Sequence, residues 1–64
     1  MHYNLYIARK ENRMKQVEVA KKIGMHSVTY SRKERGELDF TLSEAFALSE
    51  MFGVSIEKLF KRGE

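Results

Sequence analysis

Apolar residues recur along this chain of 64 residues at helical spacing, and no convincing period-two run predicts a strand. The first two predicted helices cover residues 4–12 and 16–23. Their apolar residues form single stripes, as in helices that pack one side against a core. These inward residues are Leu5, Ala8, Val19, Ala20 and Ile23. Gly24 is predicted to end the second helix, because glycine readily adopts the left-handed conformation that commonly follows a helix.

Three further helices are predicted in the rest of the chain. The third covers residues 27–36 and again ends at a glycine. Thr41 precedes Glu44 by three residues, the spacing of a capping box at the start of a fourth helix that ends at Gly53. Ser55 can cap a short last helix. The inward residues of the last two helices are Leu42, Ala45, Leu48, Phe52, Ile56, Leu59 and Phe60. Five short helices predict an all-α fold, a compact bundle.

Composition restricts the possible chemistry. The chain has no cysteine, and His2 and His26 lie far apart, so we expect neither a metal site nor a cofactor. No Ser/His/Asp set, paired acids or phosphate-binding glycine loop predicts an enzyme. No run approaches the roughly 18 apolar residues of a membrane span, and a signal-peptide core is absent. No proline and no linker-like stretch divides the chain. We expect one soluble, cytoplasmic domain over residues 1–64.

The charge distribution is uneven. Residues 1–35 carry nine basic and three acidic residues, a balance of +6, whereas residues 36–64 carry three basic and six acidic residues. This asymmetry is typical of a protein with one surface that meets a polyanion, although a chance imbalance is the alternative. At this length only about 60% of the unfolded chain's surface is buried on folding, so a partner subunit would help stabilise the domain.

The segment KQVEVAKKIGMHSVTYSRKERG, residues 15–36, is similar to the helix-turn-helix of the Cro/repressor-type DNA-binding regulators. Gln16 opens the second helix, Ala20 lies where two helices cross closely, and Gly24 supplies the turn. The matching residues at the end of the third helix are Ser31, Arg32, Glu34 and Gly36. The closing segment MFGVSIEKLF also resembles that family. The resemblance implies a lambda repressor-like domain that binds double-stranded DNA.

In this motif the third helix enters the major groove. The residues then expected to face the bases are His26, Ser27, Val28, Ser31 and Arg32. Arg32 can bond both O6 and N7 of guanine, and the alternative is a phosphate contact or none. Val28 can pack against a thymine methyl group, and the alternative is simple surface exposure.

Other residues receive backbone or structural roles. The resemblance implies that Gln16 holds a phosphate, and Lys15 and Arg35 are further candidates for phosphate contacts. Lys21 and Lys22 are expected on a solvated face. The resemblance also implies an ion pair between an arginine of the first helix and a glutamate near the end of the third, here Arg9 and Glu34. We expect this pair to brace the third helix; an exposed pair of little value is the alternative.

Three residues depart from the family pattern. Lys33 occupies a place that is usually apolar, so either its stem packs while its ammonium group reaches solvent, or that corner is looser. His26 stands where a serine or threonine usually caps the helix, and Ser27 can take over the cap. Tyr30 replaces a smaller aliphatic residue, and its hydroxyl group needs a partner.

The resemblance and the charge pattern together predict a sequence-specific regulator that acts as a homodimer on a two-fold symmetric operator. Repression by occupancy of the operator is the simplest mechanism for so small a chain. The dimer contacts are expected at Val54, Ile56 and Phe60, with at least one of them exposed in the monomer. An antitoxin or autoregulator of a toxin pair, or a helix-turn-helix used only for protein–protein contact, are the alternatives. No membrane partner or small-molecule substrate is expected.

Overall fold

A computed structural model describes residues 1–61. It contains five helices in this range, and each begins and ends within two residues of its predicted position. The helices are α1 (Tyr3–Glu11), α2 (Gln16–Lys22), α3 (Ser27–Glu34), α4 (Leu42–Phe52) and α5 (Ile56–Leu59). The predicted all-α fold is therefore confirmed.

The core lies where the inner sides of all five helices meet. Helix α2 packs on α3, and α5 packs on both α1 and α4. The buried apolar residues are Leu5, Ala8, Val19, Ala20, Tyr30, Ala45, Leu48 and Leu59. Ile23 and Phe52, predicted to point inward, are half-buried and pack against this cluster. The stripes read from the sequence thus correspond to the observed core, with one exception.

That exception is Leu42, which was predicted to point inward and is instead 68% exposed. Successive residues of a helix are about 100° apart, which places Leu42 roughly 90° around the axis from the middle of the arc formed by Ala45, Leu48 and Phe52. Phe46 lies still further from the middle of that arc and is 58% exposed. The spacing of Leu42 was helical, but it belongs to the side of α4 that faces away from the core.

The helix starts differ in how they are capped. The Thr41 hydroxyl accepts the backbone N–H of Glu44 at 3.2 Å, and the Glu44 carboxylate accepts the N–H of Thr41 at 2.9 Å, which confirms the capping box. Ser55 caps α5 by accepting the N–H of Lys58. Helix α3 has no side-chain cap. Ser27 does not take over this cap, because it is already the first helical residue and its side chain lies beyond the N-cap position held by His26.

The turn after α1 contains a feature that the glycine pattern did not predict. Arg13 adopts a left-handed backbone conformation with φ 54°, the only non-glycine residue among residues 1–61 to do so. Its N–H bonds to the carbonyl of Lys10, and the N–H of Met14 bonds to the carbonyl of Arg9. This is the same pair of hydrogen bonds that closes a helix when glycine follows it.

Candidate nucleic-acid interface

The turn between α2 and α3 fixes the relative position of the two helices. Gly24 has φ 67°, and its N–H bonds to the Lys21 carbonyl at 3.2 Å. The N–H of Met25 bonds to the Ala20 carbonyl at 2.8 Å, which completes a Schellman ending of α2. Ala20 is 1% exposed, so its small side chain lets the two helices approach closely. This arrangement is a helix-turn-helix.

A buried carboxylate joins α1 to α3. Arg9 donates from Nε to Glu34 Oε2 at 2.9 Å and from Nη2 to Glu34 Oε1 at 3.0 Å, which makes a bidentate ion pair. The two side chains are 6% and 1% exposed. Arg9 Nη1 also donates to the Met14 carbonyl at 3.0 Å, on the turn that leads into α2. The pair is therefore buried, and the alternative of an exposed pair does not apply.

Glu34 accepts two further hydrogen bonds. The Tyr30 hydroxyl donates to Glu34 Oε2 at 2.7 Å, and Gln16 Nε2 donates to Glu34 Oε1 at 2.9 Å. Four donors from three helices thus meet the roughly four lone-pair positions that a carboxylate offers. The hydroxyl of Tyr30, which had no partner in the sequence-based interpretation, completes this set.

Burial alone would raise the pKa of the Glu34 carboxyl, but the hydrogen bonds from Arg9, Tyr30 and Gln16 lower the pKa below its usual range. The hydrogen bond to Glu34 raises the pKa of Arg9. Burial, together with the neighbouring carboxylate, raises the pKa of Tyr30 well above its usual range. Glu34 and Arg9 are therefore both charged at neutral pH, while Tyr30 keeps its proton.

The side chain of Gln16, which is expected to hold a phosphate, also takes part in the buried site at Glu34. One of its two side-chain N–H groups is engaged with Glu34, and the residue is half-buried. The other side-chain N–H and the side-chain oxygen form no hydrogen bond within residues 1–61. Lys15, one residue earlier, has an exposed side chain, and its backbone N–H donates to Glu18 at 2.8 Å.

Helix α3 presents the residues predicted to face the bases along one outer edge. Val28 is 64% exposed. His26 and Arg32 are also exposed, whereas Ser27 and Ser31 are half-buried. Because α3 lacks a side-chain cap, its first N–H groups remain available to an external acceptor.

Two arginines at the end of α3 share one carboxylate that the sequence analysis did not single out. Arg32 Nε lies 3.4 Å from Glu37 Oε1, and Arg35 Nε lies 2.8 Å from Glu37 Oε2. Arg35 Nη1 also donates to the Ser31 hydroxyl at 2.9 Å. An acid that directly follows a helix ending in basic residues is the signal that would have pointed to Glu37.

The Lys33 side chain is only 13% exposed, and its ammonium group forms an ion pair with Glu44 instead of reaching solvent. Its ammonium group lies 2.7 Å from Glu44 Oε1 and 6.0 Å from the centre of the Phe40 ring. The residue is half-buried, and its ion pair joins α3 to α4. Lys21 and Lys22 are exposed, as expected for a solvated face.

The closing segment does not expose the residues predicted for dimer contact. Val54, Ile56 and Phe60 are all half-buried, so the expectation that one of them is exposed is wrong. Val54 packs on the core, and Phe60 stacks edge-on against Phe40 at 5.4 Å and against His2 at 5.2 Å. The Phe60 ring, predicted to contact a second copy, is thus partly covered by the chain's own aromatic residues.

The exposed apolar surface in this region lies instead on α4. Leu42 and Phe46, one helical turn apart, form it. Leu42 also lines a shallow pocket with Ala45, Ile56 and Phe60.

Other kinds of site find no support in the described part of the chain. Among residues 1–61, no group of three or more His, Cys, Asp and Glu side chains could hold a metal ion. None of the helices described there has the length and hydropathy needed to traverse a bilayer.

Comparison with known proteins agrees with the geometry of α2 and α3. The helix-turn-helix family HTH_3 matches residues 5–59, which is nearly the whole chain. The chain is also 40% identical over 45 residues to an uncharacterised HTH-type transcriptional regulator of Methanocaldococcus jannaschii, an alignment that covers 70% of this chain and 68% of that protein. No solved structure matches the chain. The protein therefore belongs to the HTH_3 family of helix-turn-helix DNA-binding regulators.

Proposed function

We propose that this protein is a sequence-specific repressor that binds a two-fold symmetric operator on double-stranded DNA as a homodimer, and that it is not an enzyme. We propose further that residues 1–64 form one domain that acts in the cytoplasm. The observation that carries the proposal is the buried site at Glu34, where four donors meet one carboxylate. This site holds the C-terminal end of α3 in place, while the outer edge of α3 stays exposed. A rigidly held, solvent-exposed helix is what docking into a major groove requires.

The base-reading residues are proposed to be His26, Ser27, Val28, Ser31 and Arg32. Arg32 has the shape to bond guanine at two atoms, and exposed Val28 can meet a thymine methyl group one helical turn earlier. These two side chains would give the sequence preference. The serines and His26 lie along the same edge and add contacts to bases or phosphates.

Phosphate contacts are proposed for Lys15, Gln16 and Arg35. The Gln16 amide is held in one orientation by Glu34, so its second N–H and the free N–H groups of the first turn of α2 can meet one phosphate together. The bond to Glu34 therefore orients the Gln16 side chain and leaves it able to bind. Arg35 would exchange part of its contact with Glu37 for a phosphate.

The dimer is proposed to form through the α4–α5 region. The half-buried residues Val54, Ile56 and Phe60 contribute their exposed parts to the contact. The exposed pair of Leu42 and Phe46 supplies further apolar surface for a second copy. The α3 helices of the two copies would then lie about 34 Å apart, which is one turn of DNA. The same exposed pair favours a second candidate function, in which another protein, such as the toxin of a toxin–antitoxin pair, covers α4.

The test is a gel-shift assay on genomic fragments at two salt concentrations. Affinity should fall steeply as salt rises, because phosphate contacts release condensed counterions. A binding constant that is unchanged by salt, or the absence of any shifted fragment, would contradict DNA binding. Sedimentation with and without DNA separates a homodimer from a chain that stays monomeric until a different protein is added.

A further inference from the structure

The backbone holds Glu37 in a defined position just beyond α3. Gly36 adopts φ 85°, and the N–H of Glu37 donates to the Arg32 carbonyl at 2.9 Å. This bond closes the Schellman ending of α3. The main chain of Glu37 is therefore fixed to the same residue whose side chain its carboxylate contacts.

The contact between Arg32 and Glu37 uses only one edge of the guanidinium group. Arg32 Nε lies 3.4 Å from the carboxylate, and the Arg32 side chain forms no other hydrogen bond within residues 1–61. Arginine carries five N–H donors in a planar fork, and its two terminal nitrogens form a separate edge. That edge is the one that can pair with O6 and N7 of a guanine. Glu37 thus contacts the guanidinium group while leaving its base-reading edge open.

The other carboxylate oxygen of Glu37 forms an ion pair with Arg35, which is a candidate for phosphate contact. Arg35 Nε lies 2.8 Å from it, and Arg35 is in turn bonded to Ser31. The hydrogen bond from Arg35 lowers the pKa of the Glu37 carboxyl, so the group is charged at neutral pH. Any DNA phosphate that approaches Arg35 meets this negative charge and must replace it.

We propose that Glu37 is a specificity-determining residue, which orients Arg32 toward the base edge and weakens indiscriminate contact of the α3 end with phosphates. The inference rests on the proposed DNA-binding function. It predicts two opposite effects of removing the carboxylate charge. Binding to a duplex that lacks the preferred sequence becomes tighter, because one negative charge leaves the surface that meets DNA. Discrimination between duplexes becomes weaker, because the Arg32 side chain loses the carboxylate contact that orients it.

The experiment measures dissociation constants of wild type, Glu37→Gln and Glu57→Gln by fluorescence anisotropy at one salt concentration. Each protein is titrated with the duplex that wild type selects from a random pool and with a scrambled duplex of equal length. Glu57 is a matched control because its substitution makes the same change in charge, on α5, which packs against α1 and α4 rather than α3.

For Glu37→Gln, the ratio of affinities for selected over scrambled duplex should fall about three- to tenfold, part of the discrimination that one bidentate guanine contact supplies. Affinity for the scrambled duplex should rise. Glu57→Gln should keep the ratio within about twofold of wild type, because its charge change lies away from the groove-facing helix and is screened.

A further pair of variants tests whether Glu37 acts through Arg32. In an Arg32→Ala background, Glu37→Gln should no longer change the affinity ratio, because the side chain that it orients is gone. An equal drop in that background, or an unchanged ratio in Glu37→Gln alone, overturns the inference while leaving DNA binding intact. A wild-type chain that prefers no duplex overturns the proposed function as well.

Discussion

The α1–α3 region and the α4–α5 region share one apolar core but differ in what they add to it. In the first, a buried carboxylate accepts four hydrogen bonds from three helices, and the exposed edge of α3 carries Val28 among polar and basic residues. In the second, apolar residues pack on the core, and the exposed side of α4 carries Leu42 and Phe46. Directional bonds fix an orientation, whereas apolar contact mainly lowers the free energy of folding. The difference suits a region that must present α3 accurately beside a region suited to association.

The largest effect that tests this comparison is expected from Glu34→Ala. Arg9 would be left as a buried charge without its partner, so stability should fall by roughly 3–5 kcal/mol. Glu44→Ala is the matched control, because it breaks the half-buried pair with Lys33 and one capping contact, for a loss of about 1 kcal/mol. Urea unfolding measures both. Equal midpoints for the two variants would show that burial of the Arg9–Glu34 pair does not distinguish the regions.

The α4–α5 region should respond to apolar truncation according to which side of α4 is altered. Leu48 is fully buried, so Leu48→Ala should cost about 2–5 kcal/mol. Phe46→Ala removes a larger side chain from an exposed position and should cost less than about 0.5 kcal/mol in the monomer. Thermal unfolding at low concentration gives these values.

Sedimentation of the same two variants then tests association. If α4 contacts a second copy, Phe46→Ala weakens the dimer while leaving the fold intact. An unchanged association constant in Phe46→Ala would remove the exposed pair from the dimer contact.

The effect of Arg32 falls on DNA binding rather than on folding. Arg32→Ala should cost about 1–3 kcal/mol on the preferred duplex and much less on a scrambled one, where phosphate contacts dominate. Arg32→Lys should restore the charge but only part of the discrimination, because an ammonium group lacks the planar fork. Anisotropy titrations of both variants on both duplexes provide the measurement. Equal losses on the two duplexes would assign Arg32 to phosphate contact.

The smallest effect is expected at the turn between α1 and α2. A left-handed conformation costs a non-glycine residue about 1–2 kcal/mol, and glycine removes this strain. Roughly half of the gain is lost again, because glycine has more conformational freedom in the unfolded chain. Arg13→Gly should therefore stabilise the protein by up to about 1 kcal/mol. Gly24→Ala, which has the same backbone sign and no atom within 4 Å of the added Cβ, should destabilise it by about 1 kcal/mol. Unfolding midpoints that move in the same direction would contradict this account.

Local chemistry explains what the sequence predicted well. Helix ends follow from Gly24, Gly53 and the Thr41 capping box, because these residues act through neighbours within a few positions. The Leu48 stripe follows from periodicity, and the resemblance implied the partner of Arg9. Contacts between residues distant in the chain are a different matter. Neither the engagement of Gln16 by Glu34 nor the exposure of Leu42 follows from spacing, since periodicity does not say which neighbour a helix side will meet.

The meeting of α1, α2 and α3 at the Glu34 carboxylate has a consequence for native-state dynamics. Opening any one of these helices would expose charged and polar partners of the other two, so local opening of one alone is costly. Amide hydrogen exchange should therefore report similar protection for the buried N–H groups of all three helices, as one cooperative unit. Helix α4, joined to α3 by the half-buried Lys33–Glu44 pair, can exchange through smaller openings. Helices α1, α2 and α3 would then unfold and refold together as a single foldon.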